Sequence, residues 1–268
     1  MIRDITIGQY YPAESVIHRL DPRVKLVGTL TFIISLFLHR SFLMYLVAAV
    51  FLTIVIKASN VPFHFMIKGL KAIMVLLLIT VVFNMFLTPG TPLIRIWKLT
   101  LTVEGVKQAA FMAIRLAFLI VGSSVMTLTT TPNHLTDGME KGLAPLNKLH
   151  VPVHEVSMIM SIALRFIPIL LEETDKIMKA QEARGADFDS GNLIQKAKSL
   201  VPLLVPLFIS AFRRANDLAM AMEARGYRGG EGRTKMKPLI YQKRDRMAYG
   251  VLLGYLAVMI LVGQFAPF

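Results

Sequence analysis

The chain has 268 residues, 54% of them hydrophobic, with a mean hydropathy of +0.57 and a formal net charge of +13. That apolarity excludes an ordinary soluble domain. Nucleic-acid binding would account for the charge but not for apolar runs approaching bilayer length, whereas an excess of Lys and Arg on the cytoplasmic loops of a membrane protein accounts for both. There is no Cys, which excludes disulfides and thiolate metal sites.

Residues 1–22 carry Arg3, Asp4, Glu14, Arg19 and Asp21 and no apolar core, so they do not read as a signal peptide. The first apolar block, residues 26–56, is interrupted by His39-Arg40-Ser41. One helix over that block would be about 46 Å long at ~1.5 Å per residue, too long for a core of ~30 Å. Two short or tilted helices, 26–38 and 42–56, turning at Arg40, are expected instead. A polar connection with Lys57, Asn60, Pro62, Lys68 and Lys71 leads to a third span over 72–87. Thr88-Pro89-Gly90-Thr91-Pro92 is a turn signal.

Residues 93–104 alternate apolar and polar side chains around Trp97 and read as a short interfacial element. A fourth span, 105–128, contains Lys107 and Arg115. An intramembrane Arg is a functional candidate, with snorkelling or pairing inside the bundle as the plainer reading. Thr131-Pro132 has the form of an N-cap followed by a first-turn Pro.

From 131 to 246 charges are dense, yet apolar stretches persist at 156–171, with Arg165 and Pro168, and at 200–212, with Pro202 and Pro206. The second is short enough to predict a buried, re-entrant or interfacial segment rather than a span. Residues 247–266 form a clean span, in which Gly250 and Gly254 are spaced to admit another helix closely.

Charge then orients the chain. Residues 131–246 hold 18 Lys and Arg, and Arg3, Arg19, Arg23, Lys25, Lys57, Lys68 and Lys71 fall on the same side, against Arg40, Arg95 and Lys98 on the other. A cytoplasmic N-terminus, four spans, a cytoplasmic insert and a fifth span satisfy the positive-inside rule. A crossing at 200–212 would export the basic stretch that follows and is rejected.

One stretch occurs twice on this side. Gln181-Glu182-Ala183-Arg184-Gly185-Ala186 returns 41 residues later as Met222-Glu223-Ala224-Arg225-Gly226-Tyr227. In each copy Gly follows a helix-like run, where a helix commonly ends in the left-handed conformation, so Arg sits at a helix C-terminus. Ordinary capping explains one copy. Two copies imply two similar sockets for two guanidinium forks.

Catalytic signatures are missing. There is no Gly-x-x-x-x-Gly-Lys-Ser/Thr phosphate loop. His150 and His154 have helical metal-pair spacing, but Pro152 lies between them. No carboxylate relay occurs in the spans, which argues against a self-contained secondary transporter, the main alternative. Neither a metal nor a cofactor is expected, and nucleic acid is not an expected partner.

Ser161-Ile162-Ala163-Leu164-Arg165-Phe166-Ile167-Pro168, Glu172-Glu173, the two Ala-Arg-Gly copies, Gly232-Arg233-Thr234 and the opening His18-Arg19-Leu20-Asp21-Pro22-Arg23-Val24-Lys25-Leu26 together resemble the transmembrane T component of energy-coupling-factor (ECF) transporters. The resemblance extends from about Ser15 to Phe268. It implies a non-catalytic scaffold of an ABC-type importer for vitamins or other micronutrients, in the cell membrane. Two ABC-type ATPase subunits would dock at Ala183, Arg184, Gly185, Ala224, Arg225 and Gly226. A substrate-binding S component, a separate membrane protein, would lie against Met158, Ile162, Phe166, Leu203, Leu204 and Leu207.

The expected architecture is all-α and polytopic, with about five transmembrane helices in the lipid bilayer and a large insert of amphipathic coupling helices before the last span. Its parts would be 1–130, 131–246 and 247–268.

Overall fold

A computed structural model describes residues 10–38, 41–96, 99–186, 188, 192–229, 236 and 238–265. Among these residues nine α-helices follow one another: α1 (Pro22–Leu38), α2 (Phe42–Ser59), α3 (Phe63–Leu87), α4 (Val103–Thr129), α5 (Pro132–Leu143), α6 (Val153–Ala183), α7 (Leu193–Ser199), α8 (Val201–Ala224) and α9 (Lys243–Phe265). A hairpin of β1 (Pro92–Ile96) and β2 (Leu99–Thr102) precedes α4, and a 3-10 turn (Ala144–Leu149) follows α5. The fold is all-α and polytopic.

The contacts divide the chain into two units, one of Met139–Pro238 and one of Gly8–Gly138 with Leu239–Phe268. The last helix therefore belongs with the first four.

In that second unit α1, α2, α4 and α9 pack together around Phe32, Leu36, Tyr45, Ala48, Val125 and Tyr255. Tyr255 stacks on Phe51 with ring centroids 4.1 Å apart, and its hydroxyl meets Ser35 Oγ at 2.7 Å, so this polar tip in the core is satisfied. Gly122 makes the crossing of α4 and α1 possible, because a Cβ there would come within 2.6 Å of the Phe32 ring. Arg115 resolves as pairing inside the bundle. Its Nε donates to Tyr45 Oη at 3.0 Å, and the guanidinium lies 5.1 Å from the Phe37 ring centroid.

The start of α1 is stapled to the start of α9. Asp21 caps α1 by accepting from Arg23 N at 2.9 Å, with Pro22 in the first turn where its missing N–H costs nothing. The Asp21 N–H donates to Asp245 Oδ1 at 2.9 Å, and Gln242 N–H donates to Asp245 Oδ2 at 2.8 Å. Arg23 grips the Asp21 carboxylate through Nε and Nη2 at 3.0 and 2.8 Å and lies 3.8 Å over the Tyr241 ring. Burial pushes the Asp21 carboxyl up, but the hydrogen bonds and charge of Arg23 outweigh it and hold the group below the usual carboxylate range.

Several boundaries match the expectations from sequence. The 26–56 block breaks into α1 and α2 at 39–41, of which 39 and 40 lie outside the described residues. α5 begins at Pro132, where Leu135 N–H donates to Thr131 O at 2.9 Å.

Others are corrected. The third helix starts at Phe63 rather than 72 and bends by 61° between Phe63–Lys71 and Ile73–Leu87. The alternation in 93–104 forms the antiparallel hairpin rather than an isolated interfacial element, closed where Thr91 donates to the Glu104 carboxylate. The 200–212 stretch is no separate short segment but the first half of the 24-residue α8. At Gly250 and Gly254 an added Cβ would meet nothing within 4 Å, so no helix approaches that face among the described residues.

Among the described residues five helical segments are long and apolar enough to cross a membrane: α2, α4, α6, Ile194–Ala224 and α9, with bent α3 as a sixth if its halves form one span. The number agrees with expectation and the membership does not. α1, at 17 residues, is short for a span, while α6 and α8 qualify. What separates those two from the others is charge in their second halves: Glu172, Glu173, Asp175, Lys176, Lys179 and Glu182 in α6, and Arg213, Arg214, Asp217 and Glu223 in α8.

Candidate functional site

The two Ala-Arg-Gly copies end α6 and α8 in the same way. Arg184 and Arg225 are the C-cap residues, at φ −88° and −90°. Gly185 and Gly226 follow at φ +88° and +71°. Ala186 N–H returns to Gln181 O at 2.9 Å and Gly185 N–H to Glu182 O at 2.9 Å. In the second copy Tyr227 N–H reaches Met222 O at 3.0 Å and Gly226 N–H reaches Glu223 O at 2.9 Å. Each is a Schellman motif, with the six-to-one and five-to-two bonds both formed. A Cβ at either Gly would meet nothing within 4 Å, so the left-handed φ, not space inside the chain, demands glycine.

All six residues of the paired motif are exposed. Neither the Arg184 nor the Arg225 side chain has a hydrogen-bond or ion-pair partner among the described residues. Two fixed, open helix ends therefore present two unpaired guanidinium groups, each beside carbonyls whose dipoles favour a cation.

A third contact shares the repeat's spacing. α6 and α8 pack on each other, and Arg214 Nη2 meets Glu173 Oε2 at 3.2 Å across 41 residues of sequence. Arg184 and Arg225 are also 41 apart. Each Arg cap thus stands the same eleven residues beyond the ion pair, about 16 Å along its helix at ~1.5 Å per residue. Eleven residues is also about three turns, so each Arg holds the same rotational setting relative to the crosslink. In the sequence the pairing is visible only as a matching 41-residue offset between Glu173 and Arg214.

Of the six residues expected to meet an S component, Leu203 is buried, and Met158, Ile162, Phe166 and Leu207 are half-buried. Only Leu204 is exposed, at 54%. The outward apolar residues include Val156, Ile159 and Ile167 on α6 and Leu204, Val205 and Phe208 on α8.

His150 and His154 do not share a helix. His150 adopts the left-handed conformation before Pro152, while His154, on α6, has its Nδ1 3.1 Å from Glu140 Oε1. Among the described residues no group of three or more His, Asp or Glu is placed to hold a metal ion.

The family CbiQ, described as a cobalt transport protein, matches residues 13–236. The chain is 59% identical over 264 residues to the energy-coupling factor transporter transmembrane protein EcfT of Clostridium kluyveri, covering 97% of each. It is 53% identical to the protein of the same name from Thermosediminibacter oceani, covering 98% of this chain and 99% of that one. The Bacillus subtilis protein is 48% identical over 91% of this chain and 93% of its own length. The chain belongs to the family of transmembrane components of energy-coupling-factor transporters.

Proposed function

We propose that this chain is the energy-coupling scaffold of an ECF importer, with its N-terminus and its 131–246 insert on the cytoplasmic side of the cell membrane. Two ABC-type ATPases dock on the Arg184 and Arg225 helix ends, and a substrate-binding S component rests on the outward apolar residues of α6 and α8. The parts 1–130 and 247–268 anchor it in the bilayer. ATP is hydrolysed in the partners, since this chain has no phosphate loop.

One observation carries the reading: the capped Arg ends and the Glu173–Arg214 ion pair share one 41-residue offset. Two levers joined at equivalent points suit two equivalent motors. Movement at either Arg would be passed to the other helix at the crosslink. The substrate is selected by the S component, so the cobalt in the matched family's description does not carry over to this chain. Retention of co-expressed ATPases by Arg184 and Arg225 variants tests the docking directly.

The crosslink gives its own prediction. Glu173→Arg and Arg214→Glu each place like charges where the pair now meets, and each should lower ATP-driven uptake at least fivefold. The double swap restores opposite charges and should return uptake to within twofold of the natural chain. Uptake by the swap no better than by the single variants would show that the pair does not couple the helices.

A further inference from the structure

We propose that the cleft between α1, α2, α4 and α9 is a binding site for one anionic phospholipid, its acyl chain in the apolar slot and its phosphate at Arg244. The cavity measures about 390 Å³ and is formed by the N-terminal ends of α1 and α9 with the C-terminal ends of α2 and α4, so it lies at one end of the bundle. Its floor is buried and apolar, made by Val24, Phe32, Leu52 and Leu252. Its rim carries exposed Ile54, Met247 and Val251, which open it sideways on an apolar surface suited to lipid.

The polar end is cationic. Lys25 lines the cavity and donates its ammonium to Thr129 O at 2.8 Å and His18 O at 3.2 Å, which fixes the charge in place without neutralising it. Arg244 also lines it, and its Nε, closed off from solvent, has no hydrogen-bond partner among the described residues, so turning the side chain into the cavity would break no bond there. A buried donor of this kind calls for an acceptor. The nearby carboxylates do not supply one: Asp245 accepts from the Asp21 and Gln242 backbone, and Asp21 is held by Arg23.

From Lys25 to Phe32 the slot descends about 10 Å at ~1.5 Å per residue, and the charge at its polar end separates the candidate occupants. A lipid without a phosphate would fill the slot and leave Arg244 unpaired, a free phosphate would do the reverse, and a zwitterionic headgroup such as phosphocholine would bring a second cation beside Lys25 and Arg244. An anionic phospholipid satisfies both, and the site requires nothing of the ATPase-docking ends.

Native mass spectrometry of the full chain with phosphatidylglycerol, phosphatidylcholine and inorganic phosphate tests this. The natural chain should retain one phosphatidylglycerol with at least fivefold preference over phosphatidylcholine, undisturbed by millimolar phosphate. Arg244→Gln should bring the preference to within twofold of unity, and Arg244→Lys should keep most of it. Ala248→Phe leaves the charge and fills the slot, and should reduce retention of both lipids. No retained lipid in the natural chain, displacement by inorganic phosphate, or an unchanged preference in Arg244→Gln would each overturn the proposal.

Discussion

Replacing Arg184 and Arg225 together by Ala should strip the ATPases from the membrane subunit while leaving its insertion and thermal stability as they are. Stability is spared because both side chains are exposed and neither is paired among the described residues, and the Schellman caps depend on Gly185 and Gly226 rather than on the Arg side chains. Docking suffers because a guanidinium desolvated against carboxylate or carbonyl groups contributes roughly 2–5 kcal/mol when its partner would otherwise be left unpaired. Each Arg alone then costs about thirtyfold or more in affinity, at ~1.4 kcal/mol per tenfold. Arg→Lys variants should recover only part of this, since an ammonium keeps the charge and loses the fork. Affinity pull-down with co-expressed ATPases and ATP-driven uptake in vesicles read the two consequences. Natural levels of both in the double variant would refute the docking assignment.

The second large effect is on stability. Asp245→Ala should lower the unfolding free energy by roughly 2–5 kcal/mol, because Asp245 is 1% exposed and accepts from two backbone N–H groups that would be left without partners. The loss falls on the junction of α1 with α9, and so on the anchoring of the last helix to the first. Asp245→Asn keeps one carbonyl acceptor and should cost less than Ala. Thermal unfolding of the detergent-solubilised chain orders the three; equal midpoints for Asp245→Ala and the natural chain would show that the staple contributes little.

Much of this was legible in the residues, where a local signal had one physical meaning. His39-Arg40-Ser41 had to break a block too long for a bilayer, and Thr131-Pro132 had to start a helix. Gly after Arg fixed both caps. Reading failed where a local pattern was decided by partners distant in sequence. Lys68 and Lys71 looked like a loop, yet both lie within α3. The alternation around Trp97 became a hairpin because Pro92 and Thr102 pair, a fact of register. Gly250 and Gly254 promised a close neighbour, but α9 turns Leu252 and Tyr255 to the bundle instead, leaving the glycines open.

The site shows the same division. Hydrophobicity alone did not reveal that Leu203 and Phe166 turn inward while Val156, Ile159 and Phe208 turn out, because both sets are equally apolar and only the packing of α6 on α8 separates them. The Glu173–Arg214 crosslink was present as a spacing, yet it took the folded helices to show that the two charges meet.

The chain contains no Cys, so single cysteines placed at Ala183 and at Ala224 report on one helix end each. Crosslinking of Ala183→Cys and Ala224→Cys to co-expressed ATPases in inverted membrane vesicles tests the central claim most directly. Both positions should form a crosslinked product with an ATPase subunit, and a control cysteine on the exposed lipid-facing surface of α2, such as Ile54→Cys, should form none. ATPase crosslinks absent from both helix ends, or confined to one of them, would contradict a mechanism in which two equivalent Arg caps receive two motors.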